Sequence, residues 1–453
     1  MDTKQRSVSR IRDILIVSVL SLFVVSSVTW NWPIMGNERH KLIWLLRTRW
    51  WGNDPPLGFM LMDLAYTLLP TDFGLRIPDI LLGSLTVGLL FVVAREHYGF
   101  GPAALATVSL LSTYPFLATS GRAVFEGVTL FFMFSCSYAA LNEKYLCAGI
   151  LGGLAVLSKH HGLIILPAVF LAVMIHKREA IRSKRFWIGS GISLFFLYLL
   201  LFQFGMRVLG GKGVHYVPAY IWVLFISNPI LFFTGMCSIL LREKTDIKFL
   251  CLFSVIFLLH GCVELRGNHY VYSSFPFLAL VSCRFWQTLI GMKNLVNRKL
   301  LKSLQLSTGR ILVILILVLS ITNLWYMWRN ELVIASPGIT RRQIVDEIGP
   351  VVYRYLRKGR ILTHEFTFTY YLFPSEWGKG HAMYREWEAE MAVDGSRIPD
   401  NIHIVILQKS YLSKPPIDMY LKEHDFKVVK FFRAIVRERD VYVLVRGSLI
   451  ERY

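Results

Sequence analysis

Acidic residues are scarce in this chain: 30 Asp and Glu stand against 50 Lys and Arg, a formal charge of +20. Cysteine is scarcer. All six (Cys136, Cys147, Cys237, Cys251, Cys262 and Cys283) fall in apolar stretches, and no two have the spacing of a metal site. This argues against a disulfide framework and for free buried thiols, so the cysteines say nothing of redox compartment. Internal repeats and low-complexity linkers are also missing. From residue 328 onward no stretch is apolar enough to span a bilayer.

What is present is apolar. Hydrophobic residues make up 54% of 453 positions, and several segments approach the ~20 residues that cross ~30 Å of hydrocarbon. The chain therefore reads as a polytopic membrane protein of mainly α class, with about 11 spans and a small C-terminal α/β domain. In such a protein Lys and Arg collect in cytoplasmic loops and meet anionic lipid headgroups, so the charge is no signature of nucleic acid. Membrane lipids are the expected neighbours.

Basic clusters order the spans. Lys4, Arg6, Arg10 and Arg12 place the amino terminus in the cytoplasm, and the first apolar segment, about 13–29, is kept as a span because no small-residue cleavage site follows it. A short helix, 57–69, starts after Pro55-Pro56. Spans are then expected at about 77–93, 102–119, 123–141, 145–158, 162–175, 186–204, 220–240, 249–263, 274–290 and 311–327. Loops at 177–185 and 293–310 are cytoplasmic, and residues 328–453 are extracytoplasmic by parity. In that domain a helical period over 341–358 precedes strands at Arg360–Thr363, 403–407, Phe426–Phe432 and 441–445, with a helix near 416–423. The expected division is a membrane module, 1–327, including an outer-face loop and juxtamembrane helix over 31–70, and an outer domain, 328–453.

The stretch 31–57 is unusual, since Glu38, Asp54, four Trp and five cationic side chains lie between hydrophobic segments. Charges of this density belong at a membrane surface, the depth that Trp also prefers. Two readings stay open: a loop presenting carboxylates to a substrate, or a surface helix anchored by Trp and Arg. Further charges on the outer face are not explained by insertion: Arg76, Arg122, Glu126, Lys159, His160, His161, Glu264, Arg266 and His269. Cations hold a phosphate, and a carboxylate takes a proton from an attacking group. Each has a plainer reading too. Arg122 and Glu126, four apart, could form an ion pair on one helix face, and Lys159 could snorkel to the interface.

The order of motifs resembles the integral-membrane glycosyltransferases of GT-C fold, in particular the protein mannosyltransferase and aminoarabinose transferase group (glycosyltransferase family 39-like). The matching residues are Asn37-Glu38, Asp54-Pro55-Pro56-Leu57, Gly74-Leu75-Arg76-Ile77-Pro78, Arg122 with Glu126 and Phe131-Phe132, Gly149 to Gly153 with Ser158-Lys159-His160, and Arg266 to Tyr270 followed by Pro276. The resemblance covers about residues 10–290. It implies that Glu38 belongs to the catalytic pair, that Glu126 supports the site, and that Arg122 and Lys159 bind a lipid phosphate. His160, Arg266, His269 and Tyr270 complete the substrate-binding set. The chain departs from the family at Asn37, where the presumed base is an Asp, so the base is expected at Glu38 with Asp54 as its rival.

The expected activity is transfer of a glycosyl group, hexosyl or pentosyl, from a polyprenyl-phosphate (dolichyl-phosphate-like) sugar to a lipid, glycan or protein acceptor. The setting is the extracytoplasmic face of the cell or endoplasmic reticulum membrane. No cofactor and no metal ligand is assigned; a divalent metal is compatible but not required, because a lipid phosphate is already an adequate leaving group. The competing class is a lipid flippase or transporter, which would need polar or broken helices at the midplane.

Overall fold

The computed structural model describes residues 3–29, 38, 55–203, 221, 224–225, 228–243, 246–262, 272–291, 318, 322, 342–355, 360–363, 368, 372, 386–388, 397–433 and 440–450. The chain divides into two compact units, Met1–Thr29 with Arg47–Met327, and Trp30–Leu46 with Trp328–Tyr453.

The first unit is helical among its described residues. Its helices are α1 (Thr3–Thr29), α2 (Pro56–Leu68), α3 (Asp72–Tyr98), α4 (Phe100–Leu111), α5 (Tyr114–Ser120), α6 (Glu126–Leu141), α7 (Tyr145–Ser158), α8 (Ile165–His176), α9 (Lys184–Tyr198), α10 (Pro229–Leu240), α11 (Ile247–Cys262) and α12 (Phe275–Gly291). By length and composition, Val8–Thr29, Asp72–Tyr98 and Lys184–Leu201 are each long and apolar enough to cross a membrane. Of the last expected span, 311–327, only Val318 and Thr322 are described, and both are helical.

Local chemistry sets the helix ends. Thr71 caps α3 by accepting from Gly74 N at 3.2 Å, and Asn228 caps α10 by accepting from Leu231 N at 2.9 Å. Gly99, at φ +90°, turns the chain from α3 into α4, a backbone state that L side chains avoid. The segment 102–119, expected as one span, is broken at Ser112-Thr113. Thr113 caps α5 through Phe116 N at 3.3 Å, and Pro115 in the first turn of α5 has no N–H to carry α4 onward. Close helix crossing follows from small residues. A Cβ on Gly149 would lie 2.2 Å from the Gly189 carbonyl oxygen, and one on Gly189 equally near that of Tyr145.

At one end of this unit a buried fork joins three elements. Arg284 of α12 donates from Nε to Asp246 at 2.7 Å and from Nη1 to Glu243 at 2.8 Å, while the Tyr98 hydroxyl donates to Asp246 at 2.8 Å. The two-pronged guanidinium fits a carboxylate in a way a lysine cannot.

The second unit holds a five-stranded sheet. Its strands are β1 (Arg360–Thr363), β2 (Glu386–Glu388), β3 (Ile402–Gln408), β4 (Phe426–Phe432) and β5 (Val441–Arg446), in the order β2-β1-β3-β5-β4. Strand β1 is parallel to β2 and β3, and β5 is antiparallel to β3 and β4. Central β3 buries both its faces, hence its near-continuous apolar run. Ile404 and Ile406 pack with Val441, Val443 and the helical residues Ile344, Ile348 and Val352 on one side. On the other, Ile402, Val405 and Leu407 pack with Ile417 and Tyr420 of the helix Pro415–Glu423.

Candidate active site

Arg76 and Asp79 lie three apart near the start of α3 and so on one face; they are 2% and 1% exposed. Arg76 Nη1 donates to the carbonyl of Thr29 at 3.1 Å. Thr29 is the last residue of α1, where carbonyls have no helical partner and the dipole favours a cation.

Asp79 serves the opposite kind of helix end. The N-cap of α6 is Phe125, which offers no oxygen, so the first N–H groups of the helix need another acceptor. Asp79 supplies it from α3. Its Oδ2 accepts from Val124 N at 3.2 Å and Phe125 N at 3.0 Å, and its Oδ1 from Val128 N at 3.2 Å. Such an approach requires glycine at 127, where a Cβ would stand 2.5 Å from the Asp79 carbonyl oxygen. It also places Phe125 in the left-handed region at φ 68°, at a cost of about 1–2 kcal/mol. Ring burial offsets that cost: Phe125 lies edge-on to Phe59 of α2 at 4.9 Å, over Gly58, where a Cβ would come within 2.5 Å of the ring.

Lys159 completes the constellation. It ends α7 in an extended conformation and is 3% exposed. Its Nζ donates to the Val124 carbonyl at 2.9 Å and forms an ion pair with Glu126, which is equally buried. A buried pair is tolerated when further hydrogen bonds satisfy it, and Val124 provides one. Two of the plainer readings are thereby corrected. Lys159 does not snorkel, because its ammonium is turned into the protein. Arg122 and Glu126 do not share a helix face, because α6 starts at Glu126 and Arg122 stands in the loop before it. Arg122 is half-buried there, and His160 opens a 3-10 turn, His160–Ile164, directly after Lys159.

The same turn buries His161, whose ring centroid is 5.7 Å from that of His260 on α11. His260 Nδ1 lies 2.7 Å from the Ile256 carbonyl, which only accepts, so this nitrogen carries a proton and donates it, and Nε2 shares a hydrogen bond with Ser273 Oγ at 3.2 Å. That bond closes the two ends of segment 263–271. Arg266, His269 and Tyr270 fall within the segment and lie outside the described residues, as does Asp54. Glu38 is described: it is helical, 2% exposed, and groups with the second unit.

Of the residues singled out by sequence, the structure pairs Glu126 with Lys159; Arg122 stands two residues before Val124, whose carbonyl Lys159 reaches, and His160 directly follows Lys159. Asp79 was missed. Its signal is present, since an acid inside a hydrophobic segment is a functional candidate by default, but it directly follows the Arg76-Ile-Pro78 motif, where the sequence reads as the start of a span. Among the described residues no three His, Cys, Asp or Glu side chains form a metal-binding group. Asp79 is committed to backbone N–H groups and Glu126 to Lys159, so this donor set does not fit a divalent cation.

Residues 53–202, which include Arg76, Asp79, Arg122, Glu126 and Lys159, match the dolichyl-phosphate-mannose-protein mannosyltransferase family. ArnT from Cupriavidus metallidurans in the apo state aligns over 98% of this chain and 99% of its own, with TM-score 0.54 and 14% identity. This is a GT-C fold. The GT-C chain is also similar to ArnT bound to undecaprenyl phosphate (TM-score 0.51, 14% identity, 99% of both chains). The archaeal oligosaccharyltransferase AglB from Archaeoglobus fulgidus, in complex with an inhibitory peptide and a dolichol-phosphate, aligns over 92% of this chain and 72% of its own (TM-score 0.53, 12% identity). In sequence, an uncharacterized protein of Aquifex aeolicus (strain VF5) is 26% identical over 275 residues, 54% of this chain. The match takes in 55% of that protein, so the GT-C chain spans about half the length of this relative. The resemblance drawn above from motifs is met in sequence by the mannosyltransferase family over residues 53–202 and in structure by the GT-C fold.

Proposed function

We propose that this GT-C chain transfers a glycosyl group from a polyprenyl-phosphate-linked sugar to a lipid, glycan or protein acceptor at the extracytoplasmic face of its membrane. One observation carries the reading. Arg76, Asp79, Glu126 and Lys159 are buried together at one end of an apolar helical unit, with Arg122 in the same loop. Ionisable groups are costly among membrane spans and persist where function needs them. Two proteins of the same fold support it, one solved with undecaprenyl phosphate and one with dolichol-phosphate.

In the proposed reaction an acceptor hydroxyl attacks the anomeric carbon and forms the new glycosidic bond. The bond from that carbon to the phosphate oxygen breaks, its electron pair leaves on the polyprenyl phosphate, and the hydroxyl proton passes to a carboxylate. Glu38 is that base, with Asp54 the rival. Arg122 and Lys159 hold the phosphate, Lys159 in company with Glu126, so that charge developing on the leaving oxygen meets fixed cations. His160, Arg266, His269 and Tyr270 complete the substrate contacts.

The test is turnover of radiolabelled polyprenyl-phosphate sugars by the purified protein, followed by thin-layer analysis. Glu38→Gln keeps size and hydrogen bonding, and should lower turnover by the roughly 10²–10⁴-fold of a general base with donor binding retained. Asp54→Asn should cost less. Normal turnover in Glu38→Gln with a dead Asp54→Asn moves the base to Asp54; indifference to both refutes this chemistry.

A further inference from the structure

Away from the charged cluster, α6, α7, α8 and α9 line a half-open apolar recess of about 470 Å³, within the roughly 300–1,000 Å³ of small-molecule sites. Its walls come from Ala148, Leu166, Phe170, Phe186, Trp187 and Leu194. Of the lining residues, Tyr145 and Ala148 lie in the first turn of α7 and Phe186 and Trp187 in the first turn of α9, so one end of the recess adjoins the turn at 142–144 and the connection at 177–183. Trp187 is half-exposed at this end, and its indole N–H donates to the Ile181 carbonyl at 2.7 Å, tying the connection to α9. Such a Trp marks headgroup depth.

The same end is strongly basic. Lys144, Arg178, Arg182, Lys184 and Arg185 are exposed there, and Lys177 is half-buried. Only Glu143 and Glu179 oppose them over residues 142–185, and Glu143 is already engaged by Lys177. Orientation of the chain in the membrane accounts for the cations but not for an apolar recess directly beneath them.

We propose that this recess binds one anionic bilayer phospholipid, its acyl chain in the cavity and its headgroup against Arg182, Lys184 and Arg185. Charge complementarity selects the occupant: a cluster of four to eight cations beside a membrane helix favours anionic headgroups by about fivefold per engaged cation. A zwitterionic lipid would gain the chain contacts alone.

The test is native mass spectrometry of the delipidated full chain, equilibrated with equal amounts of phosphatidylglycerol and phosphatidylcholine bearing the same acyl chains. The expected result is one retained phosphatidylglycerol, preferred by fivefold or more. Replacing Arg182, Lys184 and Arg185 together by Gln should bring the preference toward unity while one lipid still binds. Ser190→Phe, which fills the cavity from α9, should abolish retention of both lipids. If that variant does not fold, as judged by its unfolding temperature, Leu194→Trp gives the same test. Equal retention of the two lipids by the unmodified protein overturns the proposal. So does a preference that survives the triple replacement, or undiminished binding in the folded cavity variant. Displacement of phosphatidylglycerol by an equal amount of polyprenyl phosphate would also overturn it, by making the carrier the occupant.

Discussion

Removing the Asp79 carboxyl group isolates the cap that it provides across helices. Asp79→Ala takes the acceptor from the N–H groups of Val124, Phe125 and Val128 at once. A buried donor left unsatisfied costs about 1–3 kcal/mol. Three such donors set a ceiling near 9 kcal/mol, but the loop can relax and water can enter the space vacated. We therefore expect a loss of about 3–5 kcal/mol, the scale for stripping one partner from a buried polar cluster. Asp79→Asn should be milder. Its oxygen can still serve Val124 and Phe125, which share Oδ2, but its amide would face the Val128 N–H, for a loss of about 1–3 kcal/mol. The measurement is equilibrium denaturant unfolding of the purified protein in mixed micelles, with Gly127→Ala as a second way of parting α3 from α6. A loss below about 0.5 kcal/mol in Asp79→Ala, the scatter of ordinary surface changes, would refute the cap.

Three further outcomes are expected. Lys159→Gln should weaken binding of the polyprenyl-phosphate donor roughly tenfold to a hundredfold and also destabilise the fold, because Glu126 is left buried and uncompensated. The double change with Glu126→Gln should recover stability but not donor affinity, and recovery of both in a binding titration would make the pair purely structural. At the other end of the helical unit, burial pushes the Asp246 carboxyl up, but hydrogen bonds from Arg284, the Glu243 N–H and Tyr98 outweigh it and hold the group below its ordinary value. Its stabilising contribution is therefore complete above the unfolded value of about 3.9 and is lost as pH falls through the lower folded value. Asp246→Asn should flatten that acid limb in unfolding measured against pH, and an unchanged limb would refute the assignment. For topology, cysteine-accessibility labelling should find loops 177–185 and 293–310 cytoplasmic and residue 400 on the other side; labelling of 400 from the cytoplasm would reverse the parity on which the extracytoplasmic site rests.

Local pattern was sufficient for much of this protein. Apolar run length is a property of consecutive residues, and it located α2, α7, α11 and α12 to within a few positions. Alternating strand chemistry did the same for β1 and β4, whose ends at Arg360–Thr363 and Phe426–Phe432 match those expected. Short β2 was not seen, because three residues carry too little periodicity to stand out, and no local pattern specifies the order β2-β1-β3-β5-β4.

The charged residues were legible as individuals but not as partners. Sequence spacing suggested that Arg122 and Glu126 pair on one helix, since i,i+4 neighbours meet wherever a helix is continuous. The helix is not continuous there. Its start is set by Asp79, distant in the chain and brought near because Gly127 and Gly58 let backbone and ring approach where any Cβ would collide. Once α6 begins at Glu126, that carboxylate turns to Lys159 at the end of α7. By itself, then, the sequence determined that the chain belongs in a membrane, in what order its helices run, and which rare charges need an explanation. Only the tertiary structure decided which charge compensates which, because capping and ion pairing depend on distance in space, whereas hydropathy and periodicity depend on distance along the chain.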